Sequence, residues 1–138
     1  MDRKLELLAK VPLLARVNKK DLERVSQIAD EVDVAAGKVV AAQGSHGAEF
    51  FVILDGHVAV EHDGRHLADL GPGSFFGELA LLANVPRTAT VTATTACRLL
   101  VMGRREFRAL LADHPSIQGA VLDAVAERWA ATEASHPS

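Results

Sequence analysis

The stretch that decides the fold runs from Phe75 to Val91 and reads FFGELALLANVPRTATV. Gly77 has no Cβ, so the backbone can approach a ligand closely there. Residues 78–83 are good helix formers, and they predict a short helix whose first N–H groups favour an anion. Arg87 follows and brings a planar fork of donors that matches phosphate oxygens. The stretch therefore predicts an anion site.

Glu78 adds a carboxylate to this predicted site. A carboxylate repels a phosphate, so we expect Glu78 to face a different part of the same ligand. An ionised carboxylate only accepts hydrogen bonds, and a sugar hydroxyl is the natural donor to it. The alternative interpretation is that Glu78 complements the dipole of the predicted helix. The pattern favours a small phosphorylated sugar as the ligand.

The same stretch resembles the phosphate-binding cassette of the cyclic-nucleotide-binding domain family. That family includes regulatory domains of cyclic-nucleotide-dependent kinases and channels, and bacterial catabolite activator proteins. Its pattern of Phe-Gly-Glu-Leu-Ala-Leu, a short spacer and then Pro-Arg is matched here without a gap. Further matches lie at Gly37, at Gln43-Gly44, at residues 51–56 and at residues 70–77. The resemblance covers nearly the whole chain.

The resemblance implies that the ligand is a 3′,5′-cyclic nucleotide. Arg87 would hold the exocyclic phosphate oxygens, and Glu78 would hold the ribose 2′-hydroxyl. The backbone N–H groups of Leu79, Ala80 and Ala89 would also contact the phosphate. The predicted ligand-binding residues are Phe76, Gly77, Glu78, Leu79, Ala80, Arg87, Thr88 and Ala89.

The residues that would contact the base are predicted less directly. Val60, Leu79 and Val91 are candidates for the purine pocket, although apolar strand residues are also ordinary core. Arg128 and Trp129 lie where the family supplies a lid over the base, and they could equally be a solvated arginine and a packing tryptophan. Thr88 does not choose between bases, since its hydroxyl fits both. Family analogy favours cAMP, with cGMP as the alternative.

The predicted fold is α+β and mainly β: a double-stranded β-helix or jelly-roll β-roll with flanking helices. One domain spans 1–138, with N-terminal helices in 1–30 and the β-roll in 31–102, including the cassette at 75–91. Hinge and lid helices follow in 103–134, and a tail in 135–138. Asp63-Gly64 is a strong hairpin signal. Residues 88–95 favour a strand, with residues 98–102 predicted as its partner.

Composition excludes several function classes. A chain of 138 residues with net charge −3 fits one globular domain and argues against a nucleic-acid surface. The longest apolar runs are too short to cross a bilayer, and no signal peptide is recognisable. Cys97 is the single cysteine, which favours a buried, inert thiol and a reducing cytoplasm. With no helix-turn-helix after residue 134, we expect a free-standing sensor or a domain of a larger protein.

The sequence predicts a non-enzymatic sensor with no cofactor, no metal and no catalytic residues. Ligand binding would close the C-terminal helices, which would hinge near Gly103 and His114-Pro115. Candidates for transmitting the arrival of the ligand to these helices are Leu81, Leu82 and Phe107. One alternative is a degenerate β-roll that binds no nucleotide and serves protein association. The other is a cupin-like metalloenzyme, which the spacing of His57, His62 and His66 disfavours, since ligands must converge on one point.

Overall fold

The structure, a computed structural model, describes residues 3–9, 18–77, 86–115, 118–119, 122–123 and 126. Its helices are α1 (Arg3–Ala9), α2 (Lys19–Ile28) and α3 (Arg104–Asp113). Its strands are β1 (Asp30–Val34), β2 (Val39–Ala41), β3 (Glu49–Asp55), β4 (Val58–His62), β5 (Arg65–Leu70), β6 (Phe75–Phe76), β7 (Thr90–Ala93) and β8 (Cys97–Gly103).

The eight strands form two four-stranded antiparallel sheets. The order is β1-β8-β3-β6 in the first sheet and β2-β7-β4-β5 in the second. This confirms the predicted mainly β roll with helices before and after it. The predicted lid segment lies for the most part outside the described residues.

Strand β3 carries the central part of both cores. Its five inner residues are all buried, which is why it is a continuous apolar run. Successive side chains point to opposite faces of a strand. Phe50, Val52 and Leu54 therefore pack towards the helices, while Phe51 and Ile53 pack between the sheets.

The predicted pairing of residues 88–95 with residues 98–102 is wrong. Strand β7 lies between β2 and β4 in the second sheet, and β8 lies between β1 and β3 in the first. The physical reason is the burial of β8 on both faces. Leu100 and Met102 contact the helix-side core, while Cys97 and Leu99 contact the core between the sheets. Such a strand needs a central position with a covering layer on each side.

The hairpin predicted at Asp63-Gly64 is confirmed and joins β4 to β5. Both turn residues have positive φ, 52° at Asp63 and 76° at Gly64, as tight hairpin turns require. The Gln43 and Asp63 side chains anchor this turn to the turn that follows β2. Gln43 Nε2 donates to Asp63 Oδ1 at 2.7 Å, and the Asp63 N–H donates to Gln43 Oε1 at 2.8 Å.

Candidate functional site

The backbone of Arg87 is fixed by the turn at residues 44–45. The Arg87 N–H donates to the Ser45 carbonyl at 2.7 Å, and the Gly44 N–H donates to the Arg87 carbonyl at 2.8 Å. Gly44 has a φ of +83°, which glycine adopts at little cost. The paired hydrogen bonds hold Arg87 just before β7, so its side chain starts from a defined position.

The Arg87 side chain is directed into the molecule and is only 8% exposed. Its Nη1 donates to the backbone carbonyl of Glu49, the first residue of β3, at 3.1 Å. Its Cζ lies 5.7 Å from the centre of the Phe51 ring, within the range of a cation–π contact. Phe51 stacks in turn on Phe76, with the ring centres 4.8 Å apart. The guanidinium is therefore held by a carbonyl and an aromatic pair.

Two glycines leave the space that this guanidinium occupies. A Cβ at Gly47 would lie 2.6 Å from Arg87 Nε and 2.8 Å from Cζ. A Cβ at Gly77 would lie 2.7 Å from Arg87 Nη1 and 2.7 Å from the Glu49 carbonyl oxygen. Carbon atoms do not approach that closely, so a side chain at either position would displace the guanidinium.

Arg87 is the single charged residue that is buried within the described ranges. Removing a permanent cation from water is costly in free energy unless polar groups and an opposite charge compensate it. The Glu49 carbonyl dipole supplies part of that compensation. A buried, oriented guanidinium is a feature of anion recognition, because its N–H fork matches two oxygen atoms of a phosphate.

The structure brings several of the other predicted residues around Arg87. Phe76 is buried against Phe51, and Gly77 has a φ of +88° directly beside the guanidinium. Thr88 is exposed, and Ala89 is half-buried. Val60 and Val91 are register partners on β4 and β7. Val91 is buried in the core between the sheets, and half-buried Val60 packs against that core. The remaining predicted site residues, Glu78, Leu79, Ala80, Arg128 and Trp129, lie outside the described residues.

Sequence reasoning missed four residues that build the site. Gly47 was not among the predicted site residues, yet it flanks the guanidinium. Glu49 contributes its backbone carbonyl, for which a sequence carries no signal. Phe51 was noted only as part of the family match at residues 51–56, but its ring also supports Arg87. His62 Nδ1 lies 2.5 Å from the carbonyl oxygen of Thr88, and no spacing pattern links these two residues.

Other sequence-based predictions concern the remainder of the domain. Cys97 is buried as predicted, and its Sγ donates to the His57 carbonyl at 3.2 Å. Phe107 is fully buried in α3 and stacks on Phe50, with the ring centres 4.6 Å apart.

Within the part of the chain that the structure describes, no helix combines the length and apolar character needed to span a membrane.

Comparison with known proteins gives a consistent result. The family model of the cyclic nucleotide-binding domain matches residues 31–114, which contain the two sheets, Arg87 and α3. A cyclic nucleotide-gated potassium channel from Rhizobium etli is 34% identical over 126 residues, covering 91% of this chain and 35% of the channel. The chain spans about a third of the length of the first curated relatives it matches, between 28% and 35%.

Solved structures agree with this match. The catabolite activator protein of Thermus thermophilus superposes with a TM-score of 0.80 at 26% identity, covering 90% of this chain and 61% of that one. The regulatory domain of Toxoplasma gondii PKA, crystallised with cAMP, superposes with a TM-score of 0.69 at 33% identity, covering 80% and 46%. The match spans the β-roll and the buried arginine site alike, and the chain belongs to the cyclic nucleotide-binding domain family.

Proposed function

We propose that this domain is a sensor that binds cAMP through Arg87 and Glu78 and catalyses no reaction. The buried guanidinium of Arg87 carries the proposal. It is the charged group that the described fold places in its interior, and its surroundings hold it in one orientation. A cyclic phosphate has one negative charge and two exocyclic oxygens, which a guanidinium fork complements.

The roles of the other site residues follow from the same arrangement. Gly77 and Ala89 lie on either side of Arg87 in the chain, and both belong to the cassette at 75–91. Glu78 would accept a hydrogen bond from the ribose 2′-hydroxyl. The similar structures support cAMP as the ligand, since the regulatory domain of Toxoplasma gondii PKA was crystallised with it. cGMP is the competing ligand, and the domain would work in the cytoplasm.

Regulation would arise from a population shift. A ligand that binds a closed state more tightly than an open one stabilises the closed state by that difference in affinity. The segment after α3, with Arg128 and Trp129, is the proposed lid over the base. The output would lie in a partner or in another domain, as in the longer channels to which the chain is similar.

Calorimetry tests the proposal. Nucleotide-free wild-type protein is titrated with cAMP and with cGMP, and Arg87→Ala is titrated in parallel. Losing one charge-assisted hydrogen bond costs about 1.5–3 kcal/mol, so affinity should fall by roughly 10- to 150-fold. Arg98→Ala is the matched control, because Arg98 is a surface arginine paired with Asp33 and should leave affinity unchanged.

Two results would overturn the proposal. Wild-type protein that binds neither nucleotide at millimolar concentration would favour the association-only β-roll. Equal affinity of wild type and Arg87→Ala would show that the phosphate binds elsewhere. Metal analysis of the purified protein tests the metalloenzyme alternative, because a stoichiometric transition metal would require a site that this proposal lacks.

A further inference from the structure

His62 is the last residue of β4, and its ring contacts Thr88, near the end of the cassette. Nδ1 is 2.5 Å from the carbonyl oxygen of Thr88, and Nε2 is 3.3 Å from Oδ2 of Asp63. The His62 side chain is 23% exposed, so water reaches the ring only in part. Nδ1 is hydrogen-bonded to a carbonyl oxygen, which accepts and cannot donate, and Nε2 lies within ion-pair distance of a carboxylate oxygen.

Only the doubly protonated imidazolium supplies a proton to both of these oxygens. A neutral ring with its proton on Nδ1 directs the Nε2 lone pair at the Asp63 carboxylate. A neutral ring with its proton on Nε2 directs the Nδ1 lone pair at the Thr88 carbonyl. The charged ring would satisfy both contacts, whereas each neutral tautomer would satisfy one of them.

The Thr88 carbonyl belongs to the same peptide group as the N–H of Ala89. A trans peptide is planar, and its C=O and N–H point in opposite directions. The bond from His62 therefore also fixes the orientation of the Ala89 N–H, a proposed phosphate donor. A charged donor on the carbonyl polarises the peptide group, which strengthens the N–H as a donor.

The position of His62 relative to this peptide is fixed by neighbouring bonds. The Gln43 side chain is doubly hydrogen-bonded to Asp63, at 2.7 and 2.8 Å. The Gln43 N–H donates to Oγ1 of Thr90 at 3.0 Å. The β4–β5 turn and the start of β7 are thus held together through one residue. These bonds fix the hairpin that carries His62 relative to the start of β7.

Several charged groups lie near His62. Asp63 follows it in the chain, with Oδ2 at 3.3 Å from Nε2. Arg65 is its register partner on β5. Glu61 precedes His62 on β4 but alternates to the opposite face of the strand. Arg87 directly precedes Thr88 in the chain and adds positive charge near the peptide that His62 contacts.

We propose that His62 is a positioning residue that, when protonated, orients the Thr88–Ala89 peptide group and strengthens the binding of the cyclic phosphate. The inference rests on the proposed function. Histidine changes its charge between about pH 5 and 8, whereas a cyclic phosphodiester keeps one negative charge throughout that range. Ligand affinity should therefore fall as the pH rises.

Titration of cAMP into nucleotide-free protein between about pH 5.5 and 8 tests this. Wild-type affinity should fall roughly five-fold with rising pH, the ratio expected between a charge-assisted and a neutral hydrogen bond. His62→Gln keeps one donor but does not titrate, so its affinity should stay nearly constant. His66→Gln is the control, because His66 lies on the same hairpin, bonded to exposed Asp69, and should keep the wild-type profile.

Asp63→Asn provides a second variant with a predicted direction. Asparagine tolerates the positive φ of this position, so the turn should persist. The substitution removes the carboxylate that faces Nε2, and the difference in cAMP affinity between low and high pH should become smaller. A flat wild-type profile with measurable binding, or an unchanged slope in His62→Gln, would overturn the inference alone. Absence of cyclic-nucleotide binding at every pH would overturn the proposed function as well.

Discussion

At the scale of single residues, Arg87 occupies a space that Gly47 and Gly77 leave open. The sequence predicted Arg87 as a phosphate ligand and Gly77 as a point of close backbone approach. The structure adds a reason for Gly77 that the sequence could not reveal, since its missing Cβ makes room for Arg87 Nη1 and for the Glu49 carbonyl. Gly47 lies 40 residues from Arg87 along the chain. Only the folded arrangement shows why glycine is needed there.

Gly77→Ala should weaken cAMP binding by about ten-fold or more. The new Cβ would displace the guanidinium, and a displaced charge-assisted hydrogen bond costs about 1.5–3 kcal/mol. The positive φ of +88° should also lower the free energy of unfolding by about 1–2 kcal/mol. Calorimetry and chemical denaturation measure the two effects separately.

Gly37→Ala is the matched control for this change. Its φ of +89° gives nearly the same backbone strain, but a Cβ there meets no atom within 4 Å. We expect unchanged affinity and a loss of about 1–2 kcal/mol from backbone strain alone, less than in Gly77→Ala, where the Cβ also meets the Glu49 carbonyl oxygen. Equal affinity losses in both variants would show that backbone strain, rather than contact with Arg87, controls binding.

At the scale of secondary structure, local signals predicted most elements and failed on one pairing. Asn18 is of a residue type that favours the N-cap, and its Oδ1 accepts the N–H of Asp21 at 2.9 Å. The Asp63-Gly64 hairpin forms as predicted because turn chemistry is local. The partner of β7 was predicted wrongly, because sequence neighbours usually pair but a strand buried on both faces needs a central position. That choice depends on the whole core.

Asn18→Ala should lower the free energy of unfolding by about 0.5–2 kcal/mol. The substitution leaves the N–H of Asp21 without its side-chain acceptor at the start of α2. That helix contributes Leu22 and Val25 to the core beneath the first sheet. Denaturant titration measures the loss. Lys19→Ala, at the exposed first position of the same helix, is the control, and an equal loss there would contradict a capping role.

At the scale of the whole molecule, stability should depend on pH through the pairing of β1 with β8. Asp33 and Arg98 are register partners, and Arg98 Nε donates to Asp33 Oδ1 at 2.9 Å. This hydrogen bond and the charge of Arg98 lower the pKa of Asp33 below its ordinary value. A carboxylate with a lowered pKa stabilises the folded state above its unfolded pKa, near 4, and that contribution is lost as the pH falls through the folded pKa.

Asp33→Asn should therefore make the unfolding free energy less dependent on pH below about 4. Denaturant titrations at a series of acidic pH values measure this for wild type and variant. The pair is exposed, so about 1 M salt should screen the attraction and bring the two profiles together. Identical profiles at low salt would contradict a stabilising role for the pair.

The lid prediction also belongs to the whole molecule, and Trp129 provides a reporter because it is the single tryptophan of the chain. If the C-terminal segment closes over the base, cAMP should shift the tryptophan emission to shorter wavelength as the ring leaves water. The midpoint of that shift should match the calorimetric affinity and should move to higher cAMP concentration in Arg87→Ala. Unchanged emission at saturating cAMP would contradict a lid containing Trp129.

The crystal structure of the complex with cAMP tests the central claim most directly, through the distance between the Arg87 guanidinium and the exocyclic phosphate oxygens. We expect two N–H donors of Arg87 at about 2.7–2.9 Å from those oxygens. Gly47 and Gly77 should still flank the guanidinium in the complex. A nucleotide bound with its phosphate beyond hydrogen-bond distance of Arg87 would contradict it.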